Sequence, residues 1–304
     1  MTEYVYHEEQ FMPKEKAVIP VMTHAFLYGT AVFEGLRAYY NKEEDKTYIF
    51  RPKEHFERLL NSAKIMYMKE LHTIDEYIKI LKELLRKNNY KKDAYIRPII
   101  YKSAGRIGPH LIDNPDKYTL FTFPMDDYFE NSGLNVCVSN WRRNSDNSIP
   151  PRAKINGAYV NASLISTDAR LNGFDDAIVL SQSGKVAEGA AMNLFLIING
   201  KLVTTTTTSE ILTGVTRNTI LTIAKEELNI EVEERVIDRS ELYCADEAFF
   251  SGTGAQIAPI ISIDKRNIGD GKVGKLVSKI QNLYNNVVRG KIEKYKDWCV
   301  SIDD

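Results

Sequence analysis

The sequence predicts an α+β protein of two domains, and three observations carry that prediction. The chain has 304 residues, more than a single core usually fills. Residues 53–89 repeat apolar side chains at helical spacing between strand-like runs, which puts two helices on a small sheet. Beyond a polar, turn-rich stretch the texture changes to many short strands. Strand and helix never alternate regularly there, so neither a Rossmann sheet nor a βα barrel fits. The expected division is a small domain over 1–124, a linker over 125–133 and a larger domain over 134–304.

Each element has a local reason. Tyr48–Phe50 is strand-like. Phe56, Leu59, Leu60, Ala63 and Met66 form one helical face, and Tyr77, Ile78, Leu81, Leu84 and Leu85 form a second. Thr73 followed by Glu76 makes a capping box that starts the second helix. Tyr95–Tyr101 and Tyr118–Phe123 read as strands, and Pro124 to Gly133 carries the turn signals of the linker. After it come strands at Ala177–Leu180, Lys185–Glu188, Met192–Ile198 and Lys201–Thr205, with Asn199-Gly200 as a type I′ hairpin turn. A helix follows from Thr216 to Leu228. A last one sets Leu276, Ile280, Leu283 and Val287 on one stripe and ends at Gly290, a suitable C-terminal cap.

Composition excludes several functions. Lys+Arg number 40 against 41 Asp+Glu, a net charge of −1, whereas a nucleic-acid or membrane-surface protein needs clustered positive charge. The apolar runs fall short of the roughly 20 residues of a membrane span, and MTEYVYHEEQF does not read as a secretory leader. Cys137, Cys244 and Cys299 are odd in number and far apart, fitting neither a disulfide framework nor a zinc spacing. The five histidines are isolated from one another, and no serine-hydrolase elbow or phosphate-binding glycine motif occurs. A cytoplasmic protein without a metal, a nucleic-acid partner or a membrane partner is expected.

What remains are anion-binding backbones and one lysine. Thr213-Gly214-Val215-Thr216 runs straight into a helix, whose N-terminal N–H groups and partial positive charge attract anions. Thr216 as a plain N-cap is the alternative. Ser251-Gly252-Thr253-Gly254-Ala255 is either a second anion nest or an ordinary loop. Lys154, in Pro151-Arg152-Ala153-Lys154-Ile155-Asn156-Gly157, is either a solvated charge or a nucleophile made neutral by its surroundings. Glu188, in Lys185-Val186-Ala187-Glu188-Gly189, is an edge-strand charge or a buried partner for a cation.

In one order, the chain carries Tyr28-Gly29-Thr30-Ala31-Val32-Phe33-Glu34-Gly35-Leu36-Arg37, Phe50-Arg51-Pro52 with His55 and Arg58, and Tyr95-Ile96-Arg97-Pro98. It continues with Ala153-Lys154 and Tyr159, Glu188-Gly189-Ala190, Leu212-Thr213-Gly214-Val215-Thr216-Arg217 and Ser251-Gly252-Thr253. From about Val18 to the last helix it resembles the branched-chain amino-acid aminotransferases, fold-type IV (class IV) pyridoxal-phosphate enzymes. The resemblance implies the fold of the D-amino-acid-aminotransferase-like proteins: a small N-terminal α/β domain and a larger mixed-sheet, pseudo-barrel domain. The site is then a mostly apolar pocket between the domains.

The resemblance also implies roles. Lys154 is the lysine that bonds to pyridoxal 5′-phosphate and then shuttles a proton. Glu188 pairs with the ring nitrogen, Tyr159 hydrogen-bonds the ring O3′, and Arg58 with the N–H groups of Val215, Thr216 and Thr253 cradles the phosphate. Tyr95, Arg97 and Arg37 handle carboxylates, for which a guanidinium fork is suited. Phe33, Tyr28 and Tyr128 form an aromatic wall, and Gly35, Gly254 and Ala255 also line the substrate. Met192 stands where many relatives carry glutamate, and Arg106 and His110 are unusual in a loop that in relatives reaches a neighbouring subunit's site.

The implied reaction moves the amino group of L-leucine, L-isoleucine or L-valine to 2-oxoglutarate, giving a branched-chain 2-oxo acid and L-glutamate, in a homodimer or higher homo-oligomer. The alternatives are a D-amino-acid aminotransferase or aminodeoxychorismate lyase of the same fold, and a non-catalytic ligand sensor on this scaffold.

Overall fold

The structure, a computed structural model, describes residues 3–103, 105, 107–126 and 133–303. The chain divides into two compact units: 1–126 with 153–157 and 286–304, and 127–152 with 158–285. The first unit therefore takes in two stretches that the sequence assigns to the larger domain. Local periodicity says whether a segment is extended, and nothing about which remote strand it will pair with.

In the first unit the elements are β1 (Tyr4–His7), β2 (Gln10–Pro13), α1 (His24–Tyr28), β3 (Ala31–Phe33), β4 (Leu36–Asn41), β5 (Lys46–Phe50), α2 (Pro52–Ile65), α3 (Ile74–Asn88), β6 (Ala94–Lys102) and β7 (Asp116–Pro124). β6 pairs with β7 along its whole length, from Ala94 opposite Pro124 to Lys102 opposite Asp116, and takes β3 and β4 on its other side. A C-terminal strand, Cys299–Ser301, closes one edge by pairing with β5. Thr73 and Glu76 form the capping box that starts α3. α2 and α3 turn Phe56, Leu59, Leu81 and Leu84 inward, where Phe56 and Tyr77 stack with ring centroids 5.1 Å apart.

The second unit holds β8 (Leu134–Arg142), α4 (Tyr159–Leu171), β9 (Asp176–Leu180), β10 (Val186–Gly189), β11 (Asn193–Ile198), β12 (Lys201–Thr205), α5 (Val215–Leu228), β13 (Val232–Arg235), β14 (Glu247–Gly252), β15 (Gln256–Ile263), β16 (Arg266–Asn267) and most of α6 (Lys275–Val288). Its mixed sheet runs β10-β9-β8-β15-β14-β11-β12-β13, parallel at β8–β9, β8–β15 and β12–β13. The sheet curls until its ends meet. Thr205 Oγ1 on β12 donates to the Ala187 carbonyl on β10, and Val186 N donates to the Ile237 carbonyl.

Alternation explains the packing. On β9, Ala177 and Val179 lie in a cluster with Ile165 and Ala169 of α4, while Ile178 and Leu180 join the main core with Leu194, Phe250 and Ile260. Met192 belongs to that apolar core, a place that suits a thioether better than a carboxylate. Asn199 and Gly200, both at positive φ, make the predicted hairpin turn between β11 and β12.

Candidate active site

The first unit fixes Lys154 by its backbone. Lys154 O accepts from Phe33 N at 3.0 Å, Lys154 N donates to Ser62 Oγ at 3.0 Å, and Ile155 bridges Val32. Gly157 N donates to Gly29 O at 3.1 Å. Gly29 has φ +69, and a Cβ on it would lie 2.8 Å from Gly157 Cα. Only glycine permits that approach. The Lys154 ammonium sits 4.9 Å from the centre of the Phe33 ring.

The same ring carries a second cation. Arg97 Cζ lies 4.3 Å from the Phe33 centroid and 5.2 Å from that of Tyr95, and Arg97 Nη2 donates to Tyr95 Oη at 2.7 Å. Tyr95 and Arg97 are two apart on β6 and so share a face. A Cβ at Gly35 would come within 2.3 Å of that tyrosine oxygen, so the missing side chain makes room for it. Lys154, Phe33, Gly35, Tyr95 and Arg97 are thus brought together.

Arg58 belongs to a buried cluster beside them. Its Nε and Nη2 donate to the two oxygens of Glu34 at 2.6 and 2.8 Å, and His55 Nδ1 lies 2.8 Å from Glu34 Oε2. Burial pushes the Glu34 carboxyl up, but the charge and hydrogen bonds of Arg58 and then of His55 outweigh it, holding Glu34 well below the usual carboxylate range. Burial lowers the His55 pKa against the pull of Glu34, and the charges of Arg58 and Lys154 lower it further. Facing the carboxylate, the imidazole donates its Nδ1–H. Ser62 Oγ donates to Arg58 O while accepting from Lys154 N, linking the turn of α2 that carries Arg58 to the lysine.

Other expected residues lie elsewhere in this unit. Arg37 faces Tyr95 across β4 and β6, but it is almost wholly buried, and its Nη2 donates to the carbonyls of Met125 and Asp126. Tyr28, at the end of α1, accepts from Gly108 N through its hydroxyl. Tyr128 and Arg106 lie outside the described residues.

In the second unit Glu188 is buried on β10 rather than exposed at an edge. Arg143 Nη2 pairs with it at 2.7 Å, Asn193 Nδ2 donates at 2.9 Å and Leu212 N at 3.3 Å. Gly214 lets Asn193 come close, since a Cβ there would be 2.1 Å from Asn193 Oδ1. Gly214 is also the N-cap of α5, with no side chain capping it, so Thr216 is not the cap and sits buried in the first turn. Tyr159 opens α4. Thr253, Gly254 and Ala255 form the turn between β14 and β15, all half-buried.

Pyridoxal 5′-phosphate suits this donor set. The buried Glu188 carboxylate can accept from a protonated ring nitrogen, and a helix N-terminus without a capping side chain matches a phosphate. Arg97 Nε and Ser251 Oγ are buried with no hydrogen-bond partner among the described residues, and such atoms call for a polar ligand. Arg143, Glu34 and Ser62 escape a reading of the sequence, because each acts through a residue remote along the chain. The i, i+3 spacing of His55 and Arg58, next to a turn of helix, is the one local hint of their shared partner.

Comparison with known proteins agrees with the geometry. The family described as amino-transferase class IV matches residues 31–263. A probable branched-chain-amino-acid aminotransferase of Aquifex aeolicus (strain VF5) is 46% identical over 303 residues, 99% of this chain and 97% of that protein. The crystal structure of the Thermobaculum terrenum branched-chain amino acid aminotransferase in its PLP form superposes with a TM-score of 0.95 at 37% identity, covering 99% of this chain and 98% of that one. A T.th. branched-chain amino acid aminotransferase complexed with N-(5′-phosphopyridoxyl)-L-glutamate gives 0.94 at 35% identity, covering 99% of both chains. Fold and relatives together define a fold-type IV pyridoxal-phosphate enzyme. The chain belongs to the class IV aminotransferases.

Proposed function

We propose that this chain is a branched-chain aminotransferase that exchanges the amino group of L-leucine, L-isoleucine or L-valine with 2-oxoglutarate, using pyridoxal 5′-phosphate. The relatives support the branched-chain donor over the D-amino-acid and lyase alternatives. The glutamate adduct bound by the T.th. enzyme supports glutamate and 2-oxoglutarate as the other pair. When bound, the cofactor supplies an electron sink for the charge left when the substrate Cα loses its proton.

The residues then divide the work. Lys154 holds the cofactor and carries the proton on and off Cα, with its Nζ aimed by a backbone tied at Phe33, Ser62 and Gly29. Glu188, held by Arg143, Asn193 and Leu212, would pair with the ring nitrogen, and Tyr159 would hydrogen-bond the ring oxygen. Arg58 and the N–H groups of Val215, Thr216 and Thr253 take the phosphate. Arg97 with Tyr95 binds a carboxylate, while Phe33 and Gly35 shape the apolar space beside it, with Tyr28, Tyr128, Gly254, Ala255 and Arg37 completing the substrate surroundings. The observation that carries this reading is one ring, Phe33, within 5 Å of both Lys154 Nζ and Arg97 Cζ: an amine next to a carboxylate fork.

We also read the chain as a homodimer. Val18, Val21, Phe26, Ile107 and Ile112 of the first unit are each 68–80% exposed, an apolar surface that a second copy would cover. No helix among the described residues is long and apolar enough to cross a membrane, and the three cysteines are unpaired, which suits a reducing cytoplasm.

The test is a substrate panel. L-leucine with 2-oxoglutarate should yield glutamate, D-alanine should not react, and aminodeoxychorismate should release no pyruvate. Turnover of D-alanine in place of L-leucine would overturn the assignment.

A further inference from the structure

The Glu34 cluster is larger than a passing ion pair. Glu34 is wholly buried, His55 is 2% exposed and Arg58 13% exposed at their side chains. The carboxylate accepts from four donors: Arg58 Nε at 2.6 Å, Arg58 Nη2 at 2.8 Å, His55 Nδ1 at 2.8 Å and its neighbour Gly35 N at 3.2 Å. Three of these fall on Oε2 and one on Oε1, so both oxygens are held. Its own backbone is anchored too, since Glu34 N donates to Pro98 O. The pairing engages the Nε–Nη2 edge of the guanidinium. Because that group is planar and rigid, holding one edge fixes the direction of the Nη1–Nη2 edge.

A buried arginine–carboxylate pair is by itself poor evidence for stability, because desolvation offsets most of the attraction. It also works against anion binding, since Glu34 cancels the charge of Arg58. An arginine meant only to attract a phosphate would do better without it. The arrangement makes sense when direction matters more than charge.

We propose that Glu34, locked in place by His55, is a positioning residue that aims Arg58 at the phosphate of the cofactor and so gives the site its preference for phosphorylated over unphosphorylated vitamin. The inference rests on the reading of Arg58 as a phosphate ligand. A glutamine cannot replace Glu34. Its single oxygen cannot accept from four donors, and its NH2 would face the hydrogens of Arg58 or His55.

The experiment titrates the full-length protein, freed of cofactor, with pyridoxal 5′-phosphate and with pyridoxal, following the absorbance of the bound vitamin. The readout is the ratio of the two Kd values, which a general loss of fold does not move. Glu34→Gln should weaken pyridoxal 5′-phosphate by about 10- to 100-fold, the range known for partners that orient metal-holding side chains, and leave pyridoxal unchanged. Arg58→Ala should lower the same preference to what the backbone N–H groups alone provide, and Glu34→Gln added to it should change nothing more.

If Arg58→Ala leaves the preference undiminished, the phosphate role of Arg58 fails and the inference with it. If Arg58→Ala lowers the preference while Glu34→Gln keeps or strengthens it, Arg58 retains its role and the positioning role of Glu34 is overturned, because charge alone then governs. Should Glu34→Gln not give soluble protein, His55→Leu removes one of the four donors. A lowered preference supports the proposal, and an unchanged one contradicts it.

Discussion

At the scale of single residues, the sequence marks candidate site residues wherever they stand in a motif, and hides the partners that hold them. Lys154, Glu188, Arg58, Tyr95 and Arg97 stand in motifs that carry the family pattern. Arg143 does not, because the strand order that brings it to Glu188 passes through β9 between β8 and β10. Glu34 sits inside a recognisable motif, yet nothing local says that it is buried with His55 and Arg58. That cluster has a consequence in acid. Both Glu34 and His55 titrate below their ordinary values of 4.5 and 6.5 in the folded protein, so the folded state binds fewer protons. Each contributes stability that is complete above its ordinary value and is lost as the pH falls beneath it, His55 first and Glu34 later. The Tm should therefore drop between pH 7 and pH 5 more in the wild type than in His55→Gln, which cannot titrate. Parallel falls, followed by calorimetry at several pH values, would remove His55 from the account.

At the scale of elements, strongly periodic segments declared themselves. α2, α3 and α6 each appear where apolar side chains repeat at helical spacing, and α5 where the chain leaves a glycine turn. α4 did not, for a physical reason: it buries the small side chains of Ala162 and Ala169 with Ile165, and leaves Val160, Leu164 and Leu171 exposed. Its apolar pattern therefore marks no inward face. The Lys154 segment was equally silent, since its support comes from β3, α2 and one glycine. Gly29 is the place to probe that support. Alanine there pays about 1–2 kcal/mol for the left-handed backbone, and its Cβ would also press on Gly157. Gly173 is the control, with φ +80 and nothing within 4 Å of a Cβ. Denaturation midpoints should show Gly29→Ala to be clearly more destabilising than Gly173→Ala. Equal effects would mean that the contact with Gly157 does not constrain the lysine segment.

At the scale of the whole molecule, length and texture suggest two domains, and the two compact units of the structure are each discontinuous in sequence. The C-terminal strand Cys299–Ser301 and the 153–157 stretch return to the first unit through backbone pairing, which depends on contacts far apart in sequence. Assembly follows from surface instead. If the patch around Val21 and Phe26 joins two copies, light scattering should give the wild type twice the mass of one chain and Phe26→Asp the mass of one. A monomeric wild type would contradict the dimer. The central claim concerns a single side chain, and hydride reduction of the cofactor-loaded protein tests it most directly. After borohydride treatment and digestion, mass spectrometry should find the phosphopyridoxyl group on the peptide carrying Lys154. Finding it on another lysine, or on none, would contradict the account.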